Sequence, residues 1–510
     1  MPATITKSFR IHNAQQFKEA FSESNDTKMY LFIGREKEWP TANTPPTPVD
    51  TVQFSEYDSY RNMIAAKKIS QSDVQFVVPR TNWASGTVYH EYQNKDSSLY
   101  ANNFYVVTDG FNVYKCIFNN QGGTSTVKPT ATVTDTIFKT ADGYLWKYMY
   151  TISGADQVKF VDDNFIPVKE LLTDDGSAQF TVQSSAANGA IGVIDVGSIG
   201  SAYINNSSTF ASISNSTVLV ANTGANSTDG IYTGSTIFIS SGRGAGQLRE
   251  IVNYVGSSRT LTVNNSFSVT PNTSSSYLIS PKATISGDGL GALAYTNVAA
   301  NGSIANVTIV SSGLNYSKAN TVITANVGSG ATAQTYLAPY GGHGSAALYE
   351  LGGHNVMLNV RLGATDVVNL ANADFRTIGL LKDPLLANGT IANSTTLNMT
   401  TRLTLSSKTG SFTEDERVLG GTSGASGRIV VFANTNATGT EGVLSLTEVE
   451  GSFTNTEVIT ANQSGITATT AGITGNEITP YTGEILYIEN LVKVQRAIDQ
   501  TEDVKLVIRF

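Results

Sequence analysis

The chain has 510 residues, only 15% of them charged, and 33 basic against 41 acidic residues give a net charge of −8. With no basic run it lacks the positive footprint of a nucleic-acid binder, and its single Cys116 excludes both an intrachain disulfide framework and a cysteine-based zinc site. At roughly 100–200 residues per domain the length allows two to four domains.

Gly reaches 46 and apolar residues 40%, so the chain can build cores, and its Thr, Val, Ile, Gly and Asn suit strands and tight turns better than helices. The start, Met1 to Lys7, lacks the long apolar run of a signal peptide, and no window of roughly 18 apolar residues suggests a membrane span. A soluble protein made in a reducing cytoplasm is the expectation.

In chain order, His12 to Ser24 is helix-compatible, with Phe17, Ala20 and Phe21 on one face. Lys28 to Arg35 reads as a buried strand ending in a turn, followed by Trp39-Pro40, and Thr44-Pro45-Pro46-Thr47-Pro48 reads as an extended surface connection. A helix is expected from about Ser55, with Tyr57, Tyr60, Ile64 and Lys67 on one face and Ser55 and Asp58 as a shortened capping box. Strands follow at 74–80, 104–108, 112–116 and 144–152, the middle two joined by an Asp109-Gly110 hairpin signal. Cys116 falls inside a strand and is expected to be a buried structural thiol. All three tryptophans lie before residue 170, in the aromatic, core-building part of the chain.

Past about residue 175 Ser, Thr, Asn, Gly and Ala dominate, and the sequence repeats itself. Ile191, Val196, Gly200 and Tyr203 align with Ile304, Ile309, Gly313 and Tyr316 at an offset of 113 residues. Gly410-Ser411-Phe412-Thr413 with Glu416 and Val418 aligns with Gly451-Ser452-Phe453-Thr454 with Glu457 and Ile459 at an offset of 41, as do Gly424 and Gly465. Each repeat reads as a few short strands around glycine turns.

The last stretch puts Val504, Leu506, Ile508 and Phe510 on one face of a strand that ends on a buried ring. That strand is expected to fold back on Val492–Val494 through the polar turn at 499–503, and to take partner strands from the first 170 residues. The expected fold is therefore mainly β: an antiparallel β-sandwich core built from both chain ends, with inserted small β-modules and a few short helices. Residues 1–175 with 476–510 are expected to form the discontinuous core, 176–395 the Gly/Ser/Thr-rich modules of the first repeat pair, and 396–475 a tandem β-repeat module.

The constellations that could carry chemistry all have plainer readings. Gly242-x-Gly244-x-Gly246 is followed by strand-like sequence rather than a helix, and no Walker lysine accompanies it, so it reads as a glycine turn. His343, Glu350 and His354 could ligate a metal, but their spacing matches no ligand signature, and a glycine loop whose polar side chains cap backbone groups is the better reading. Asp162/Asp163 and Asp174/Asp175 read as solvated turns rather than a hydrolytic carboxylate pair. Without a Gly-x-Ser-x-Gly elbow, serine–histidine catalysis has no support. No catalytic, cofactor-binding or metal-ligating residue is expected.

Five stretches carry a resemblance. Tyr30-Leu31-Phe32-Ile33-Gly34-Arg35 with Trp39, Val78-Pro79-Arg80 with Trp83, Val113-Tyr114-Lys115-Cys116, Asp142 to Tyr148, and Gly483 to Phe510 resemble, in order, the gene-product-8 baseplate wedge subunit of T-even-like contractile-tailed phages. The resemblance covers most of residues 28–170 and 483–510, and the long repetitive middle departs from it. It implies a mostly β, non-enzymatic structural protein of the virion tail baseplate, assembled in the host cytoplasm. It would be a homodimer, joining other wedge subunits and fibre-attachment proteins and taking part in the rearrangement that triggers contraction, without nucleic-acid binding or membrane insertion. Gly34, Arg35, Trp39, Trp83, Trp146, Tyr487 and Phe510 are the expected interface or core anchors. The alternative is a tail-fibre adhesin whose inserted modules bind host glycan; no heptad or triple-β repeat accompanies it. A polysaccharide-degrading enzyme is a third possibility.

Overall fold

A computed structural model describes residues 4–22, 27–49, 54–93, 95–363, 366, 370, 372–497 and 499–510, the backbone alone at 54–56. The fold is mainly β, built from antiparallel sheets. It divides into two compact units: Met1–Val77 with Val158–Asp162 and His354–Phe510, and Val78–Gln157 with Asp163–Gly353.

In the first unit, a five-stranded sheet runs in the order Thr396–Asn398, Met63–Lys68, Met29–Gly34, Asp374–Lys382, Glu484–Gln495. A second ladder pairs Glu502–Arg509 with Asn355–Leu362, which pairs in turn with Val74–Pro79. Ile33, Ile64, Leu362, Phe375 and Ile378 form one core cluster, with Leu491, Val494 and Val504 packed against it. Tyr30, Phe32, Met63, Leu381 and Leu397 form another. Successive side chains of a strand point to opposite faces, so the all-buried Met29–Gly34 strand feeds both.

Four sequence expectations are corrected here. The strands at the C-terminus pair neither with each other nor directly with the first 170 residues: Glu484–Gln495 binds Asp374–Lys382, and Glu502–Arg509 binds Asn355–Leu362. Those two strands lie between the chain ends and join them, because Asp374–Lys382 also pairs with Met29–Gly34 and Asn355–Leu362 with Val74–Pro79. Phe510 is half-buried rather than buried, its ring 5.4 Å from that of Phe17. The helix expected from Ser55 stops at Asn62, and Ile64 and Lys67 belong to a strand; Ser55's side chain lies outside the described residues. The buried run Met63-Ile64-Ala65-Ala66 fills an inner strand position, and this burial overrides the helical spacing. The first helix spans Lys7–Glu19, not 12–24, because the Thr6 side chain caps it by accepting the Phe9 N–H at 3.2 Å. Ser24 lies outside the described residues.

Residues 401–474 form a closed six-stranded barrel in which the 41-residue repeat becomes a pseudo-dyad. Each repeat supplies three strands: Thr401–Ser406, Arg417–Gly420 and Ser426–Asn434, then Gly442–Glu450, Val458–Ala461 and Thr467–Thr474. The first strand of each pairs with the third of the other, and the two middle strands pair together. Glu416 accepts the N–H groups of Thr413, Gln463 and Ser464, while Glu457 accepts those of Thr454, Thr422 and Ser423. Each glutamate thus caps a turn of the opposite repeat.

In the second unit, the aromatic sheet orders Tyr105–Val107, Asn112–Phe118, Leu145–Thr151 and Phe138–Lys139, with the Asp109-Gly110 turn as expected. Its core holds Tyr89, Tyr114, Cys116, Tyr144, Trp146 and Tyr148. Gly242, Gly244 and Gly246 turn the chain between the strands Thr236–Ser241 and Leu248–Val255, all at positive φ, so the glycine-turn reading holds. The 113-residue repeat gives two matching strands, Ile191–Ser201 and Ile304–Leu314. In each, a Cβ on the repeated glycine (Gly200, Gly313) would stand within 3 Å of the ring of the repeated tyrosine (2.7 Å to Tyr203, 2.8 Å to Tyr316). The spacing survives in the sequence because that ring lies on that backbone.

Candidate functional site

Among the described residues, each unit buries a cluster of charge. In the first unit it centres on Arg35, just after the first strand. Arg35 is fully buried and pairs with Asp374, with Asp415 at 2.7 Å and with Glu414 at 2.8 Å. Asp374 also holds Arg376 at 2.8 Å and Lys493 at 3.3 Å. Arg428, from the barrel, reaches Asp415 at 2.7 Å, Glu448 at 2.9 Å, the Asn62 side chain at 2.8 Å and the carbonyl of Arg35. The barrel is thereby bolted to the five-stranded sheet by guanidinium forks matched to carboxylates.

Burial would raise the Asp374 carboxyl, but Arg35, Arg376 and Lys493 outweigh it and hold it below the ordinary carboxylate value. Glu36 behaves in the opposite way. Burial pushes it up to about 7, and Arg428 and the Asn62 hydrogen bond only partly offset this.

In the second unit, Lys115 and Lys147 are direct cross-strand partners, both buried. Lys115 pairs with buried Glu350 and stands 4.4 Å above the Tyr92 ring. Glu350 also accepts the N–H groups of Gly344 at 2.8 Å and Ala346 at 3.1 Å, which is the backbone-capping role expected of the 341–354 loop. His343 packs edge-on against Tyr92 in this unit, whereas His354 belongs to the first unit and lies 3.4 Å from the Lys7 ammonium. Among the described residues no group of three His, Cys, Asp or Glu could hold a metal ion. Asp174 and Asp175 accept the N–H groups of Gly176 and Ser177, the geometry of a turn. Cys116 is a free, buried thiol, pushed up by burial.

The other anchors fall as follows. Gly34 is buried beside Arg35 and faces the Thr377 side chain. The half-buried Trp39 donates its indole N–H to the Leu491 carbonyl at 2.8 Å, lying on the edge of the Glu484–Gln495 strand. Tyr487 on that strand donates to Glu489 at 2.6 Å. Trp83 is half-buried and donates to Ser125 at 3.1 Å, and Trp146 is fully buried and stacked on Tyr144. Asp374, Arg376, Arg428, Lys115 and Lys147 were not singled out from the sequence. The only trace was a charge within an otherwise apolar strand, as in Asp374-Phe375-Arg376 or Tyr114-Lys115-Cys116.

None of these constellations sets a nucleophile beside a base. What they do is hold strands from distant parts of the chain in one register. Residues 3–125, which carry the strand Met29–Gly34, Arg35 and Lys115, match the family described as Phage-Gp8: Bacteriophage T4, Gp8. Over that segment the chain is similar to a gp8-type baseplate protein. That family supports a structural role in the phage tail baseplate, among other baseplate components. No curated protein matches the chain. Among its described residues no helix is long and apolar enough to cross a membrane.

Proposed function

We propose that this gp8-type protein is a wedge subunit that dimerises, joins neighbouring wedge proteins and fibre-attachment proteins, and takes part in the rearrangement that triggers contraction. It is a scaffold and not an enzyme, assembled in the host cytoplasm before joining the virion. The observation that carries this reading is the match of residues 3–125 to the Gp8 family. The form of the first unit supports it: the Glu484–Gln495 strand is the last of its sheet and exposes Leu486 and Val492. A long edge strand with apolar side chains is a template for pairing with another chain. We place the dimer contact in the unit built from both chain ends, on this edge beside Trp39.

Size-exclusion chromatography with light scattering tests the dimer: twice 54.1 kDa is expected at micromolar concentration, and the single-chain mass would overturn it. A cryo-EM map of the intact tail tests the wedge assignment, which fails if the chain is found outside the baseplate ring.

A further inference from the structure

The second unit contains a cavity of about 550 Å³, within the roughly 300–1,000 Å³ range of small-molecule sites. Half-buried and buried apolar side chains wall it, among them Phe118, Leu145, Ile191, Val193 and Val307, and both Lys147 and His343 line it. Lys147 and Lys115 face each other across adjacent strands, an arrangement of like charges that is unfavourable by itself. Glu350 answers Lys115. Lys147 donates to the Thr134 carbonyl at 2.7 Å, and among the described residues no carboxylate lies within ion-pair distance of it. The His343 Nδ1 atom is buried without a hydrogen-bond partner. Of the acids in the lining, Asp135 is exposed and Asp195 accepts its neighbour's N–H, that of Val196, at 2.8 Å. Burial, with Lys115 adding to it, pushes the Lys147 ammonium down to about 8, and the more distant Asp135 and Glu350 carboxylates only partly offset this. Two buried ammonium groups therefore share one buried carboxylate, and the second opens on a cavity whose lining mixes apolar with polar side chains. A buried charge without a counter-ion is costly, and an incoming anion would remove that cost.

We infer that this cavity binds a small organic anion, an acid group on an apolar body, with the acid seated between Lys147 and His343 and the body against Phe118, Leu145, Ile191 and Val307. The site is independent of the assembly role proposed above.

The test is isothermal titration of the full chain with decanoate, decyl phosphate and decanol, three probes sharing one apolar body. At least one of the two acids should bind tenfold or more tightly than decanol, and which acid wins separates a carboxylate ligand from a phosphate ester. Lys147→Met should weaken that acid tenfold or more while leaving the unliganded melting temperature unchanged or higher, since the variant removes a buried charge that no carboxylate contacts directly. His343→Gln gives a second variant, expected to weaken the same acid while decanol binding stays as it was. Decanol binding as tightly as both acids would overturn the inference. So would no heat from either acid at millimolar concentration, or unaltered acid binding in both variants.

Discussion

Arg35 shows how much a single side chain can be asked to hold. Removing one partner of a buried ion pair leaves an uncompensated charge, at a cost of about 3–5 kcal/mol. Asp374→Ala, which strips that acid from Arg35, Arg376 and Lys493 at once, should lower chemical-denaturation stability by that amount. Glu36 and Asp374 also set opposite limits on pH. Asp374 titrates below its unfolded value, so its contribution is present above the ordinary value of 3.8 and is lost as pH falls through the folded one. Glu36 titrates above its unfolded value, so the folded state is favoured below 4.5 and loses that advantage as pH rises through about 7, an effect of roughly 3 kcal/mol. Stability of the first unit should therefore peak near pH 4 for these two groups, between their unfolded values of 3.8 and 4.5, and Glu36→Gln should flatten the decline toward neutrality in a series of denaturant titrations. Packing imposes a third demand: a Cβ on Gly379 would lie 2.4 Å from both the Phe32 ring and the Tyr487 carbonyl. Gly379→Ala should destabilise by about 3 kcal/mol, the upper end for overpacking a core, and a thermal melt reads it.

Among the elements, the barrel separates a repeat in sequence from a unit in folding. Neither 41-residue repeat closes its own sheet, and each borrows its buried glutamate cap from the other. Glu457→Ala should accordingly raise hydrogen exchange at the amides of Thr422 and Ser423, in the first repeat, and Glu416→Ala should do the same at Gln463 and Ser464. Each should cost about 2 kcal/mol, since amide donors are left without their charged acceptor. Protection lost only near the substituted residue would contradict the reciprocal arrangement. The repeats themselves were legible because glycine at positive φ and a tyrosine or glutamate at fixed spacing leave a signature in one dimension. The Tyr57–Lys67 segment was misread for the opposite reason: its spacing suits a helix, yet Met63–Lys68 sits between two strands of a sheet.

For the molecule as a whole, the placing of the chain ends decides the architecture. The amino-acid sequence alone determined a mainly β chain, the hairpin at Asp109-Gly110, the glycine turn at 242–246 and both repeat periods. These depend on backbone preferences and near-neighbour spacing, which the order of residues carries directly. Only the tertiary structure decided that Asp374–Lys382 and Asn355–Leu362 stand between the terminal strands. It alone also brought Arg35, Asp374 and Arg428, or Lys115, Lys147 and Glu350, into single buried clusters. Strand order within a sheet and the pairing of distant charges are settled by which apolar faces and counter-ions can be buried together, and the distance along a chain holds no record of that competition.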